Sequence, residues 1–296
     1  MGFGVSSFRF IIHYTLNKRG EIDRMKYKLI CMDMDGTVLS DDKIVSEENL
    51  KAIKAAHDAG MKMAVCTGRL FANAKVYADM FGIKAPVIAS NGAYIKDKDS
   101  DEVIYKSVLG REKATKIFST INKYDISIFF NTCDAVITNK PFDERNAYVR
   151  MNKDLPKEQQ VRLIYTEDMM KAIEEEGDEI LKCICIENDI EKLNKARAEI
   201  EAFSEFEVVS SFKNNFEIMC KGVSKGRAVE VLTGFYNIKR EEVICIGDNE
   251  NDISMIEYAG LGIAMGNAEE RVKEIANYIT DTNNNSGVAK AINKFI

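Results

Sequence analysis

The chain has 296 residues, of which 46% are hydrophobic and 30% charged, and its net charge is -6. This is the balance of a globular protein, and it excludes a disordered polar chain; a net negative charge argues against a nucleic-acid partner, because such binding needs a cationic face to displace counterions. The length predicts two domains or one core carrying an insertion, and no stretch approaches the ~18 consecutive apolar residues needed to span a bilayer.

In chain order, residues 1–25 come first, with a short apolar patch before Lys18-Arg19. That order is the reverse of a secretory signal, and the formal myristoylation match at Met1-Gly2 is permissive, so the segment is read as an extension of doubtful relevance and given no function. The apolar run Leu29-Ile30-Cys31-Met32 then predicts a strand that ends at Asp33-Met34-Asp35-Gly36-Thr37. Ser46 is a helix cap for the segment carrying Leu50, Ile53 and Ala56, closed by Gly60, and a strand is expected over residues 61–66, stopping at Thr67-Gly68-Arg69. A helix over 71–81, a strand at 87–89, the turn Ser90-Asn91-Gly92 and a hairpin across 94–105 follow.

The interval from 110 to 214 has its own alternation. Helices are expected over 112–123, 168–176 and 189–203, and strands over 126–130, 135–138, 180–186 and 206–211. Such a segment can fold around a small core of its own. Beyond it come Lys225 in Gly222-Val223-Ser224-Lys225-Gly226 and the apolar run Val243-Ile244-Cys245-Ile246, which stops at Gly247-Asp248 and continues to Asn251-Asp252.

Strand side chains alternate faces, so Asp33 at a strand end and Asp35 on the following turn can address one point beyond the sheet. The run ending at Asp248 would deliver a further carboxylate to the same carboxyl edge of a parallel sheet. Clustered acids repel unless a cation is present, and oxygen ligands without His or Cys neighbours select Mg²⁺ over zinc. Taken singly, Asp35 reads as a turn residue, Asp248 as a helix cap and Lys225 as a solvated lysine; their ordered combination reverses that. His57 and His13 are assigned no chemistry. The seven cysteines show no Cys-x-x-Cys spacing and are read as free thiols in a reducing cytoplasm.

These motifs in this order resemble the haloacid dehalogenase-like phosphotransferases. From about Met25 onward the chain is similar to their Cof-type, sugar-phosphatase-like subfamily. The resemblance implies a doubly wound, Rossmann-like α/β core, residues 26–110 and 215–296, with an inserted α/β cap domain, residues 111–214, that closes over the active site. It implies Asp33 as nucleophile, forming an aspartyl-phosphate, and Asp35 as general acid and then base, with a pKa raised by acidic surroundings. Mg²⁺ is expected at Asp33, Asp248 and the backbone carbonyl of Asp35, with Asp252 and Asn251 holding metal-bound water and orienting Lys225. Thr67 and Gly68 would cradle the phosphate with Lys225, Asn91 would meet substrate under the cap, and Arg69 is either structural or a substrate-side contact.

The function so implied is Mg²⁺-dependent hydrolysis of a small phosphorylated metabolite, a sugar phosphate or similar, by a cytoplasmic monomer or homodimer without nucleic-acid or membrane partners. Two alternatives remain open: a phosphosugar mutase of the same superfamily, and a non-catalytic phosphometabolite-binding module. The mutase would retain its product for a second transfer, for which the sequence shows no arginine-rich cap stretch, and turnover of p-nitrophenyl phosphate with and without Mg²⁺ discriminates the binding module.

Overall fold

The computed structural model describes residues 26–144 and 146–296. The readings of residues 1–25, His13 included, lie outside the described residues.

Two sheets organise the chain. The first is built from β1 (Leu29–Asp33), α1 (Glu47–Asp58), β2 (Lys62–Cys66), α2 (Phe71–Asp79), β3 (Pro86–Ala89), β4 (Tyr94–Asp97) and β5 (Val103–Lys106). The chain then leaves for α3 (Gly110–Ile121), β6 (Ser127–Asn131), β7 (Ala135–Thr138), α4 (Ala147–Lys153) and β8 (Arg162–Tyr165). Next come α5 (Met169–Glu176), β9 (Lys182–Ile186), α6 (Ile190–Glu201), β10 (Phe206–Val209) and β11 (Asn215–Cys220). It returns through α7 (Lys225–Tyr236), β12 (Val243–Gly247), α8 (Ile253–Tyr258), β13 (Leu261–Ala264), α9 (Glu270–Ile275), β14 (Tyr278–Ile279) and α10 (Gly287–Phe295).

The first sheet has eight strands in the order β14-β13-β12-β1-β2-β3-β4-β5, parallel as far as β3 and antiparallel through the β4–β5 hairpin. Its strands are apolar on both faces because helices cover both. Ile30 and Met32 pack with Ile53 of α1, Ala74 of α2 and Val288 of α10, while Leu29 and Cys31 pack with Val229 and Leu232 of α7 and Met255 of α8. A fully buried side chain such as Ile53 contributes about 1.5–3 kcal/mol. The order of strands makes β1 the centre, flanked by β12 and β2 in register Met32↔Ile246 and Asp33↔Cys66. All three strands therefore release their C-terminal residues at one edge, the usual ligand crevice of an open α/β sheet.

The inserted unit carries a six-stranded sheet, β10-β11-β9-β6-β7-β8, antiparallel except for β7–β8. Its helices α3, α5 and α6 bury Phe130, Cys183, Phe216 and Ile218 on one face. Here the structure corrects the sequence boundary at 214. β11 lies between β10 and β9 in the second sheet, so residues 215–220 belong with the insertion rather than with the core. Residues 210–214 join two strands of an antiparallel pair, and Phe216 and Ile218 are buried in the insertion's core. Helix α4 and strand β8 were not anticipated either; α4 has only seven residues and β8 four, both too short for a period to stand out.

Candidate active site

Asp33 is the last residue of β1 and is 5% exposed. Its Oδ1 accepts a hydrogen bond from Lys225 Nζ at 2.6 Å, and the same ammonium donates to Asp252 Oδ1 at 2.6 Å. Lys225 is the first residue of α7, whose cap Ser224 accepts from the Arg227 N–H. A helix N-terminus disfavours a cation, so this fully buried lysine is held there by its two carboxylates against the local dipole. Asp252 is equally committed: its Oδ2 accepts from the backbone N–H groups of Asp248, at 2.9 Å, and Asn249, at 3.0 Å. Asp248 itself accepts from the Thr37 hydroxyl at 2.8 Å.

One oxygen from each of Asp33, Asp248 and Asp252 lies within 4.8 Å of the others. The turn that brings them together depends on Gly36, whose φ of 82° lies in the left-handed region, and a Cβ there would stand 2.9 Å from the Asp248 carboxyl carbon. Three buried acids thus face one ammonium. Burial raises the Asp33 carboxyl, Lys225 opposes that, and Asp252 and Asp248 raise it further. Asp248 is pushed up to about 7, first by burial and then by Asp252. Burial alone would lower the Lys225 ammonium, but Asp252 and Asp33 hold it well above its ordinary range. The donor set is oxygen only and in excess of its counter-charge, which fits a hard divalent cation.

Asp35 departs from the sequence expectation of a raised pKa. Its carboxylate is gripped by Arg69 through Nε and Nη2, both at 2.6 Å, and by Lys43 Nζ at 2.8 Å. Burial pushes it up, but Arg69 and then Lys43 outweigh that and bring it to about 2. Its side chain is also not part of the three-acid cluster, and so cannot share a cation with it in this arrangement.

The second motif sits beside these groups. Thr67 is buried, its hydroxyl oxygen accepts from the Arg69 N–H at 3.1 Å, and its own N–H is taken by the Ile88 carbonyl. Arg69 is fully engaged: besides Asp35 it donates to Asn73 and stacks on Tyr77, 4.5 Å from the ring centroid. Asn91 falls in a run of three positive φ angles, Ser90, Asn91 and Gly92, on the turn after β3, a strained backbone of the kind that gathers at functional sites. Its amide accepts from Asn251 Nδ2 at 3.1 Å and donates to Glu217 Oε2 at 2.9 Å. Lys225 thus joins Asp33 to Asp252, and Asn91 joins Asn251 and the Thr67 carbonyl to Glu217 of the second sheet.

Sequence reasoning missed Lys43, Lys182 and Glu217. Lys182 on β9 and Glu217 on β11 pair with each other, both buried, and Lys182 also donates to the Gly68 carbonyl, so the insertion touches the second motif directly. The signal was present: each is the lone charge in an otherwise apolar strand, Leu181-Lys182-Cys183-Ile184 and Phe216-Glu217-Ile218-Met219.

This fold and site define a class. A family model for haloacid dehalogenase-like hydrolases matches residues 30–292. A Bacillus subtilis 5-amino-6-(5-phospho-D-ribitylamino)uracil phosphatase, YcsE, is 31% identical over 272 residues, 91% of this chain and 96% of that protein. The solved structure of a haloacid dehalogenase-like hydrolase from B. subtilis superposes with a TM-score of 0.80 at 30% identity, covering 91% of this chain and all of that one. That of a subclass IIB sugar phosphatase does so with a TM-score of 0.73 at 26% identity, covering 90% and 98%. The chain belongs to the haloacid dehalogenase-like hydrolases. Within them it is a Cof-type phosphatase.

Proposed function

We propose that this phosphatase hydrolyses small phosphorylated metabolites, sugar phosphates or close relatives of them, with Mg²⁺ and through an aspartyl-phosphate on Asp33. The observation that carries the reading is the convergence of Asp33, Asp248, Asp252 and Lys225 on one buried point at the sheet edge. Asp33 and Asp248 would hold the cation with the Asp35 carbonyl; both oxygens of Asp252 already serve Lys225 and the backbone, so we assign Asp252 to orienting that lysine. Bound there, Mg²⁺ would neutralise phosphate charge and so admit an anionic nucleophile.

The chain's own groups then do the rest. A carboxylate oxygen of Asp33 forms a bond to phosphorus as the ester P–O bond breaks, and the leaving oxygen takes a proton from Asp35. In the second displacement water attacks the same phosphorus, Asp35 removes its proton, and inorganic phosphate and free Asp33 are restored. Lys225 stays against Asp33 throughout and stabilises the transferred charge, with the Thr67 hydroxyl and the Gly68 N–H donating to the other phosphate oxygens. Asp35 is held ionised by Arg69 and Lys43 in the resting arrangement, so acid duty requires it to be released from them. An incoming phosphate dianion competes for those same cations, which ties protonation of Asp35 to substrate arrival.

Release of phosphate from a panel of sugar phosphates, nucleotides and cofactor phosphates, with Mg²⁺ and with chelator, tests the proposal; no release from any ester in folded, Mg²⁺-loaded protein would overturn it. We also place the chain in the cytoplasm with a small-molecule substrate and no nucleic-acid partner, on the ground that all seven cysteines are free and the net charge is -6. Among the described residues no helix is long and apolar enough to cross a membrane.

Cation binding should be linked to pH with a definite sign. With Asp248 raised from an ordinary 3.8 to about 7, the metal-free folded state keeps a proton that the unfolded chain has lost across that interval. Stability therefore falls with rising pH between the two values, as the extra bound proton is given up. Mg²⁺ competes with that proton. The rise in melting temperature on adding Mg²⁺ is expected to be larger at pH 8 than at pH 5.5, with protons released on binding at the lower pH; calorimetry at both pH values checks it.

A further inference from the structure

The second sheet has two unlike faces. One is covered by its own helices, whereas the residues that alternate with those are Asn131 on β6, Val136 on β7, Lys182 on β9 and Glu217 on β11. This other face lies against the first sheet's loops: Val136 packs with Leu70, next to the second motif, and Lys182 and Glu217 bond to Gly68 and Asn91. Register puts Asn131 directly opposite Lys182, so the two side chains share that face.

Asn131 is 0% exposed; its amide N–H reaches the Tyr148 phenol oxygen of α4, while its Oδ1 meets no donor among the described residues. Buried polar atoms are nearly always satisfied, and leaving one without a partner costs about 1–3 kcal/mol, so the open acceptor at this place calls for a ligand that completes it. The Tyr148 phenol is pushed up to about 12, first by burial, and it feels the charges of Arg69, Glu217 and Asp35.

The chemistry of the neighbours narrows the ligand. Lys182 is neutralised by Glu217, and Arg69 is held by Asp35 at rest and by the reacting phosphate once substrate arrives, so no free cation remains there among these groups for a second phosphate or a carboxylate. The amide offers its open Oδ1 beside a second N–H, which matches hydroxyl groups that both give and accept hydrogen bonds. Building on the phosphatase reading, we propose that Asn131 is a specificity-determining residue that hydrogen-bonds a neutral, polyhydroxylated leaving group, a sugar or sugar alcohol, on the face of the second sheet that closes the site.

The test compares a pentitol 5-phosphate and a hexose 6-phosphate with p-nitrophenyl phosphate, which has no hydroxyl to offer, for wild type, Asn131→Leu and Asn131→Asp with Mg²⁺. In Asn131→Leu the ratio of kcat/KM for the better polyol phosphate to that for p-nitrophenyl phosphate is expected to fall about tenfold or more, carried mainly by KM, the size of one lost hydrogen bond to substrate. Asn131→Asp, which keeps the acceptor, should recover part of the ratio. The Asn131→Leu melting temperature should stay close to that of wild type, because loss of the contact to the Tyr148 phenol is offset by removal of an unpaired buried carbonyl; a merely structural asparagine would show a clear fall. An unchanged ratio, or equal loss on both kinds of ester, overturns the role of Asn131 while leaving the phosphatase standing. Failure of wild type to hydrolyse any of the esters overturns the phosphatase reading, and this inference with it.

Discussion

Asp33→Asn is expected to lower kcat by at least about 10⁴-fold, on the scale seen when a covalent nucleophile is removed from other hydrolases. The amide keeps the shape of the carboxylate but has no oxygen able to form a stable acyl phosphate. The loss should appear in kcat on every ester alike, since the nucleophile is indifferent to the leaving group. Stability should move in the other direction. Wild-type Asp33 is a buried acid whose pKa is raised by burial and by Asp252 and Asp248, so without a cation its charge is a liability at pH 8. Lys225 keeps Asp252 as a partner in the variant. The metal-free variant should therefore melt at or above the wild-type temperature at pH 8, while gaining less from added Mg²⁺. Phosphate release and paired melts with chelator and with Mg²⁺ check both halves. Retained turnover, with deamidation back to Asp excluded by mass spectrometry, would remove Asp33 from the mechanism.

The core and the acidic cluster were legible because each rests on a local pattern. An apolar run of four or five residues that stops at an Asp tells both that a strand ends and what it delivers, as for Met32-Asp33 and Gly247-Asp248. The partnership of Asp33 with Asp248 needed only that both strands run parallel in one sheet, and β1 and β12 do. What could not be read were relations set by distance rather than by sequence. The pKa of Asp35 depends on whether Arg69 turns towards it, 34 residues away, and nothing local decides that. The same holds for Asn91, expected to face substrate, whose amide is spanned by Asn251 and Glu217. The end of the insertion was misplaced because no linker marks it, and only the pairing of β11 with β9 and β10 assigns residues 215–220 to the insertion. Lys182 and Glu217 were visible as lone charges in apolar strands, yet their meaning required the register that pairs β9 with β11.

Lys225→Met tests the electrostatic core of the site most severely. The side chain is fully buried, and its ammonium is bonded to both Asp33 and Asp252. Methionine fills similar space, so packing is little altered, but three carboxylates are left facing one another without a protein cation among them. Removing one partner from a buried ion pair typically costs about 3–5 kcal/mol, and that is the expected loss in chelator at pH 8. The loss should shrink as pH falls, because the abandoned acids can take up protons, and it should shrink on adding Mg²⁺, which supplies the missing charge. Adding Asp252→Asn in the same chain should restore stability, giving a coupling of at least about 1 kcal/mol in a double-mutant cycle, since the second change removes the charge that the first left unpaired. Turnover should not follow stability. Even with Mg²⁺ present and the fold restored, kcat should stay about 10²–10³-fold down, the cost of losing a preorganised charge at the reacting group. Recovery of both together would mean that the lysine only holds the acids in place. Recovery of stability alone would assign its charge to the phosphoryl transfer itself.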